Sequence, residues 1–154
     1  MISYWDNMAN AVRRVLLYIL GTTFVISAIL KIIAFYSFSQ TVRPFCSLLG
    51  MDALGEYSQL IAVAVIISEL ALGIASFVPS FVKITVFVFP LVLVWFTYIT
   101  YINYIDPYGN IESCGCFGEL IHFTPAESFY KNIVLLILAI ALLVCHHIIE
   151  KKLN

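Results

Sequence analysis

Residues 84–105 read ITVFVFPLVLVWFTYITYINYI, twenty-two consecutive residues without a charged side chain. At about 1.5 Å per residue a helix of that length spans the roughly 30 Å hydrocarbon core of a bilayer. Upstream of Lys83 lies a second run, residues 60–78, nineteen residues interrupted only by Glu69. A third, residues 15–35, is twenty-one residues long and interrupted only by Lys31. Downstream, residues 133–149 form a shorter run of seventeen that ends on His146 and His147. Its helix is expected to begin earlier, because Thr124-Pro125-Ala126-Glu127 offers an N-cap threonine, proline at the first helical position and glutamate at the third. Counted from Pro125 to Ile149 it has 25 residues and can cross with some tilt.

Composition agrees. Of 154 residues, 62% are hydrophobic and 11% charged, and the mean hydropathy is +1.01. An ordinary soluble domain is about 45–50% apolar and about 25% charged, so that class is excluded. Eight Lys and Arg against nine Asp and Glu leave no basic surface for phosphates, which argues against nucleic-acid binding. The reading is an all-α integral membrane protein, a bundle of four transmembrane helices in lipid. A single domain over residues 1–154 is expected, with spans at about 15–35, 60–78, 84–105 and 125–149. The two longer loops cover residues 36–59 and 106–132. The first apolar run exceeds the about 7–15 residues of a signal-peptide core and lacks an A-x-A site, so it is read as a retained helix.

Basic residues set the orientation. Arg13, Arg14, Lys83, Lys151 and Lys152 fall on one side and only Arg43 and Lys131 on the other. The positive-inside rule makes the first side, with both termini, cytoplasmic. The long loops then face outward, into the periplasm if the membrane is a bacterial inner membrane. In the first, Phe38, Val42, Phe45 and Leu49 recur at helical spacing, which predicts a short interfacial helix with Cys46 beside its apolar stripe and Pro44 within it.

The second loop carries Cys114-Gly115-Cys116-Phe117-Gly118. Cysteines two apart close a small disulfide ring only with unfavourable dihedrals, which an intervening glycine tolerates best. Strained, exposed disulfides tend to be exchangeable. A structural disulfide and two unlinked thiols are the competing readings.

Taken in order, Gly21, Ser27 and Lys31, then Glu69-Leu70-Ala71-Leu72-Gly73, then Cys114-Gly115-Cys116-Phe117-Gly118, then Asn132, the chain resembles the DoxX-like membrane proteins. Within them it is most similar to the methylamine-utilisation MauE branch. The resemblance runs from about Arg14 to about Leu143. It implies a four-helix membrane protein that works with a periplasmic thioredoxin-like partner in thiol-disulfide chemistry, supporting the maturation of extracytoplasmic proteins. Only Cys114 and Cys116 match the family's redox motif. Cys46 is not assigned by the family pattern, and is either a relay or resolving thiol or a small buried residue.

Lys31 and Glu69 are the charges left inside the bilayer. At 1.5 Å per residue, Lys31 lies about 6 Å below the outer surface and Glu69 about 7 Å deeper, an offset that a lysine side chain can largely cover. A charge at such depth costs about 2.5–3.5 kcal/mol or more and needs a partner or a task. The pair either handles protons or fixes helix packing. Ser27, Ala28, Ser68, Ala71 and Gly73 around it favour close helix approach.

Tyr98, Tyr101, Tyr104 and Tyr108 follow at intervals of three or four on the outer end of the third span. They line a quinone headgroup pocket in one reading and form an interfacial aromatic belt in the other. Cys145, His146 and His147 read as an interfacial anchor. Cys114, Cys116 and His122, with Cys46, keep a soft-metal site open as an alternative. The expected activity is thiol-disulfide exchange by Cys114 and Cys116, with Glu69 and Lys31 assisting and a quinone as candidate cofactor. The other alternative is a non-enzymatic accessory subunit that docks with further membrane subunits.

Overall fold

A computed structural model describes residues 2–105 and 124–153. The described residues form five α-helices: α1 (Ile2–Ile33), α2 (Phe35–Leu48), α3 (Ser58–Ala75), α4 (Val82–Ile105) and α5 (Pro125–Leu153). Short 3-10 turns, Asp52–Tyr57 and Pro79–Phe81, precede α3 and α4. No strand occurs among the described residues. Among the described residues, four segments are long and apolar enough to cross a membrane: Met8–Ile33, Asp52–Ala75, Pro79–Ile105 and Pro125–Lys151. The expected all-α, four-span architecture is therefore what the chain adopts, as a multi-pass membrane protein.

The helix ends have local causes. Val78 stands before Pro79 and adopts an extended conformation, φ −97° and ψ 116°, because a following proline disfavours the helical region. The third helix thus stops at Ala75 instead of 78. At α5 the expected cap is complete: the Thr124 N–H and hydroxyl donate to Glu127 Oε2 at 2.8 and 2.9 Å, and the Glu127 N–H donates back to the Thr124 hydroxyl at 3.3 Å. The first helix begins at Ile2 and not near residue 15. Hydropathy marks the part that prefers lipid, whereas the backbone ladder runs on through residues that do not break a helix.

Residues 36–59, expected as an outer loop, are largely helical. After Ala34 (φ −101°, ψ 35°) the chain leaves α1 and restarts as α2, which runs through Pro44. The predicted stripe exists, but it does not lie on the lipid interface. Phe38, Val42 and Cys46 are buried against Ala28 of α1 and Ala62 and Ile66 of α3. A second apolar cluster joins Leu17, Leu20 and Phe24 of α1 to Phe89 and Leu93 of α4 and Leu142 of α5. Phe24 and Phe89 meet edge to face at 5.1 Å, a preferred aromatic geometry. Helix α1 takes part in both clusters and holds the bundle together.

The α1–α3 crossing depends on two glycines. A Cβ on Gly73 would come within 2.8 Å of Val25 Cγ2 and 3.0 Å of the Gly21 carbonyl oxygen, and a Cβ on Gly21 would collide with the Ser76 hydroxyl. Close backbone approach through small residues is how helices associate where lipid gives no hydrophobic drive. Of the small residues expected at this crossing, Ala28 and Gly73 are buried, while Ser68 and Ala71 face outward.

At one end of the bundle, Arg13, Lys83, His146 and Glu150 gather. Lys83 pairs with Glu150 at 2.7 Å, and His146 lies 3.6 Å from Glu150 and 3.5 Å from Arg13. His146 is 2% exposed and meets Phe87 edge to face. It is a buried contact between α1, α4 and α5 rather than the expected interfacial anchor. The contact also puts Arg13 in the first half of α1, the start of α4 and the end of α5 together at one end.

Candidate functional site

One turn beyond the tight α1–α3 crossing, Ser27 and Lys31 of α1 face Glu69 of α3. Lys31 Nζ donates to Glu69 Oε1 at 2.8 Å and Oε2 at 2.7 Å, and to the Ser27 hydroxyl at 2.7 Å. Ser27 Oγ is a further 3.3 Å from Glu69 Oε2 and donates to it. Both charged side chains are 3% exposed. The three ammonium protons are thus all directed at oxygen, and the Phe38 ring of α2 lies 5.4 Å from Lys31 Nζ. Desolvated charges tolerate such burial only when paired and hydrogen-bonded in this way.

The cluster lies on the wall of a cavity of about 360 Å³. Its lining is mostly apolar and aromatic, with Phe24, Phe38, Phe45, Trp95 and Phe96 contributed by α1, α2 and α4. Lys131 and Asn132 of α5 complete it beside Thr100. Asn132 is buried and donates through Nδ2 to the Phe96 carbonyl at 3.3 Å and the Thr100 hydroxyl at 3.2 Å. That bridge fixes α5 against α4, so the neighbouring Lys131 is presented to the cavity. Lys131 acts electrostatically on both Lys31 and Glu69.

Cys46 is buried and also lines the cavity. Burial pushes its thiol above the usual cysteine range, which favours the neutral form over the reactive thiolate. Tyr98, Tyr101 and Tyr104 are about half exposed and are not part of the lining. Tyr104 instead stacks on Phe129 at 5.5 Å, and Tyr101 leans on the same ring at 5.6 Å. Cys114, Cys116, Tyr108 and His122 lie outside the described residues. The structure therefore brings together Lys31, Glu69 and Cys46, and adds Lys131 and Asn132 as site residues. Asn132 carried a signal in its place in the motif order. Lys131 enters the sequence reading only as a topological charge.

Protein TlpB of Flavobacterium psychrophilum is 36% identical over 76 residues, which is 48% of this chain and 20% of that protein. The chain spans about a fifth of the length of that curated relative. No solved structure matches. The model of the family described as methylamine utilisation protein MauE matches residues 9–145, and the chain belongs to that family.

Proposed function

We propose that the protein is a membrane thiol-disulfide exchange protein whose Cys114 and Cys116 react with a thioredoxin-like partner outside the cytoplasm. The observation that carries this reading is the Cys-Gly-Cys pair in the connection between α4 and α5, the two helices whose Thr100, Lys131 and Asn132 border the cavity. The thiolate of one cysteine attacks the partner's disulfide, and the second cysteine resolves the mixed disulfide, so that one S–S bond breaks as another forms. Family membership and the motif support a place in the maturation of extracytoplasmic proteins. The distribution of Lys and Arg supports an orientation with the Cys-Gly-Cys loop outside the cytoplasm, which is the periplasm if the membrane is a bacterial inner membrane. The buried Lys31–Glu69 pair is the acid–base group assigned to this chemistry, and DoxX-like relatedness fits the same scheme.

Thiol labelling of intact cells tests this. Cys114 and Cys116 are expected to shift between oxidised and reduced forms as the external redox poise changes. A pair that stays in one form under every condition, in cells where Cys114→Ser/Cys116→Ser has no phenotype, would leave only a structural bridge or an accessory subunit.

A further inference from the structure

We infer that the cavity enclosed by α1, α2, α3, α4 and α5 is the headgroup site of a lipid-soluble quinone drawn from the surrounding bilayer. The inference rests on the thiol-exchange reading, taken in the oxidising direction. There a partner dithiol reduces the Cys114–Cys116 disulfide and becomes a disulfide itself. Re-forming the Cys114–Cys116 bond then releases two electrons and two protons, and a quinone that takes up both leaves as the quinol.

Four features of the cavity fit such a ring. Its volume of about 360 Å³ falls in the range of small-molecule pockets, about 300–1,000 Å³. Its walls are rich in aromatic rings, on which a flat conjugated headgroup packs. Met51, Leu54 and Trp95 belong to the lining and are also 38%, 44% and 50% exposed. The cavity therefore opens through an apolar rim on the flank of the bundle. A ligand arriving there comes from lipid, and a headgroup with an isoprenoid tail leaves its tail outside.

The fourth feature is charge. Two amines, Lys31 and Lys131, line the cavity with a single carboxyl, Glu69. That balance favours a ligand whose oxygens gain negative charge on reduction and disfavours a cationic one. Glu69, held by Lys31 and Ser27, lies at the wall as a carboxylate that can take up a proton released by dithiol oxidation and pass it to those oxygens. Tyr98, Tyr101 and Tyr104, the expected quinone contacts, lie away from this wall.

Trp95 provides the test. The chain has two tryptophans, so Trp5→Phe leaves Trp95 as the only indole. Combined with Cys114→Ser/Cys116→Ser and reconstituted in lipid nanodiscs, this protein is titrated with decylubiquinone and with a short-chain menaquinone analogue. Saturable quenching of Trp95 is expected with at least one of them. Val65→Phe and Leu135→Phe, which fill the cavity, should each raise the half-saturating concentration at least tenfold, Lys131→Met at least threefold, and Tyr98→Phe should leave it unchanged. Circular dichroism identifies any filled variant that has not folded, in which case the other one decides.

Quenching that never saturates, or that both cavity-filling variants leave unaltered, overturns the proposal. Displacement of the quinone by equimolar oleate or tetradecane also overturns it, and would make the cavity an acyl-chain groove. Because the cysteines are absent, failure here leaves the exchange reading untouched. If exchange fails in cells while quenching stands, the site remains and its assigned electron donor is wrong.

Discussion

A lysine or glutamate placed alone in a bilayer costs at least about 2.5–3.5 kcal/mol on insertion scales. Lys31 and Glu69 avoid that by sharing protons at 2.7 and 2.8 Å, with Ser27 closing the triangle. Removing one partner strands the other. Lys31→Met should therefore destabilise the protein by about 3–5 kcal/mol, whereas Lys31→Met/Glu69→Met should recover most of the loss. Thermal unfolding in detergent measures both, and a double variant no more stable than the single one would refute the coupling. If Glu69 handles protons, the recovered double variant stays inactive. Cys46 makes a separate prediction. Its thiol is raised by burial, so less thiolate is present at neutral pH than for an ordinary cysteine. Alkylation of Cys46 should be slow at pH 7 and should rise over a higher pH range than that of a free thiol, as mass spectrometry across pH would reveal. At this scale the two buried charges were legible because they are exceptions in apolar runs. The convergence of Cys46, Lys131 and Asn132 was not, because it brings together two helices, α2 and α5, that are far apart in sequence.

At the level of elements, the α1–α3 crossing positions the ion pair, and Gly21 and Gly73 make the crossing possible. Gly73→Val has no room against Val25 and the Gly21 backbone. Overpacking of this kind costs typically about 1–3 kcal/mol, and here it should also part Ser27 and Lys31 from Glu69. The expected result is a lower melting temperature together with loss of activity. A Gly73→Val protein of normal stability and activity would show that the close approach is dispensable. The α5 cap was legible because Thr124, Pro125 and Glu127 act locally, within one turn. The apolar stripe of α2 was legible as well, but its partner was not. Lipid tails and a neighbouring helix are equally apolar, so periodicity does not say which of them Phe38 and Val42 face. The same ambiguity applied to Tyr98, Tyr101 and Tyr104. Tyr101 and Tyr104 turn toward Phe129 and Tyr130, Tyr98 lies beside Trp95, and none of the three lines the cavity.

For the whole molecule, four spans follow from hydropathy because a backbone in lipid must satisfy its own hydrogen bonds, and helices of this length do so. How the spans enclose a cavity depends on side chains from all five helices, including α2, which does not cross. The resulting arrangement is a bundle with a basic end, where Arg13, Lys83, His146 and Glu150 meet, and a buried acid–base cluster facing an apolar chamber away from that end. The connection between α4 and α5 carries the Cys-Gly-Cys pair, and exchange through that pair is the central claim. Capture of the mixed disulfide tests it most directly. In cells producing Cys116→Ser or Cys114→Ser and quenched with acid, one of the two variants should carry a covalent, reductant-sensitive adduct with a thioredoxin-like protein, and Cys114→Ser/Cys116→Ser should carry none. Absence of an adduct from both single variants, with full activity retained by the double variant, would contradict the account.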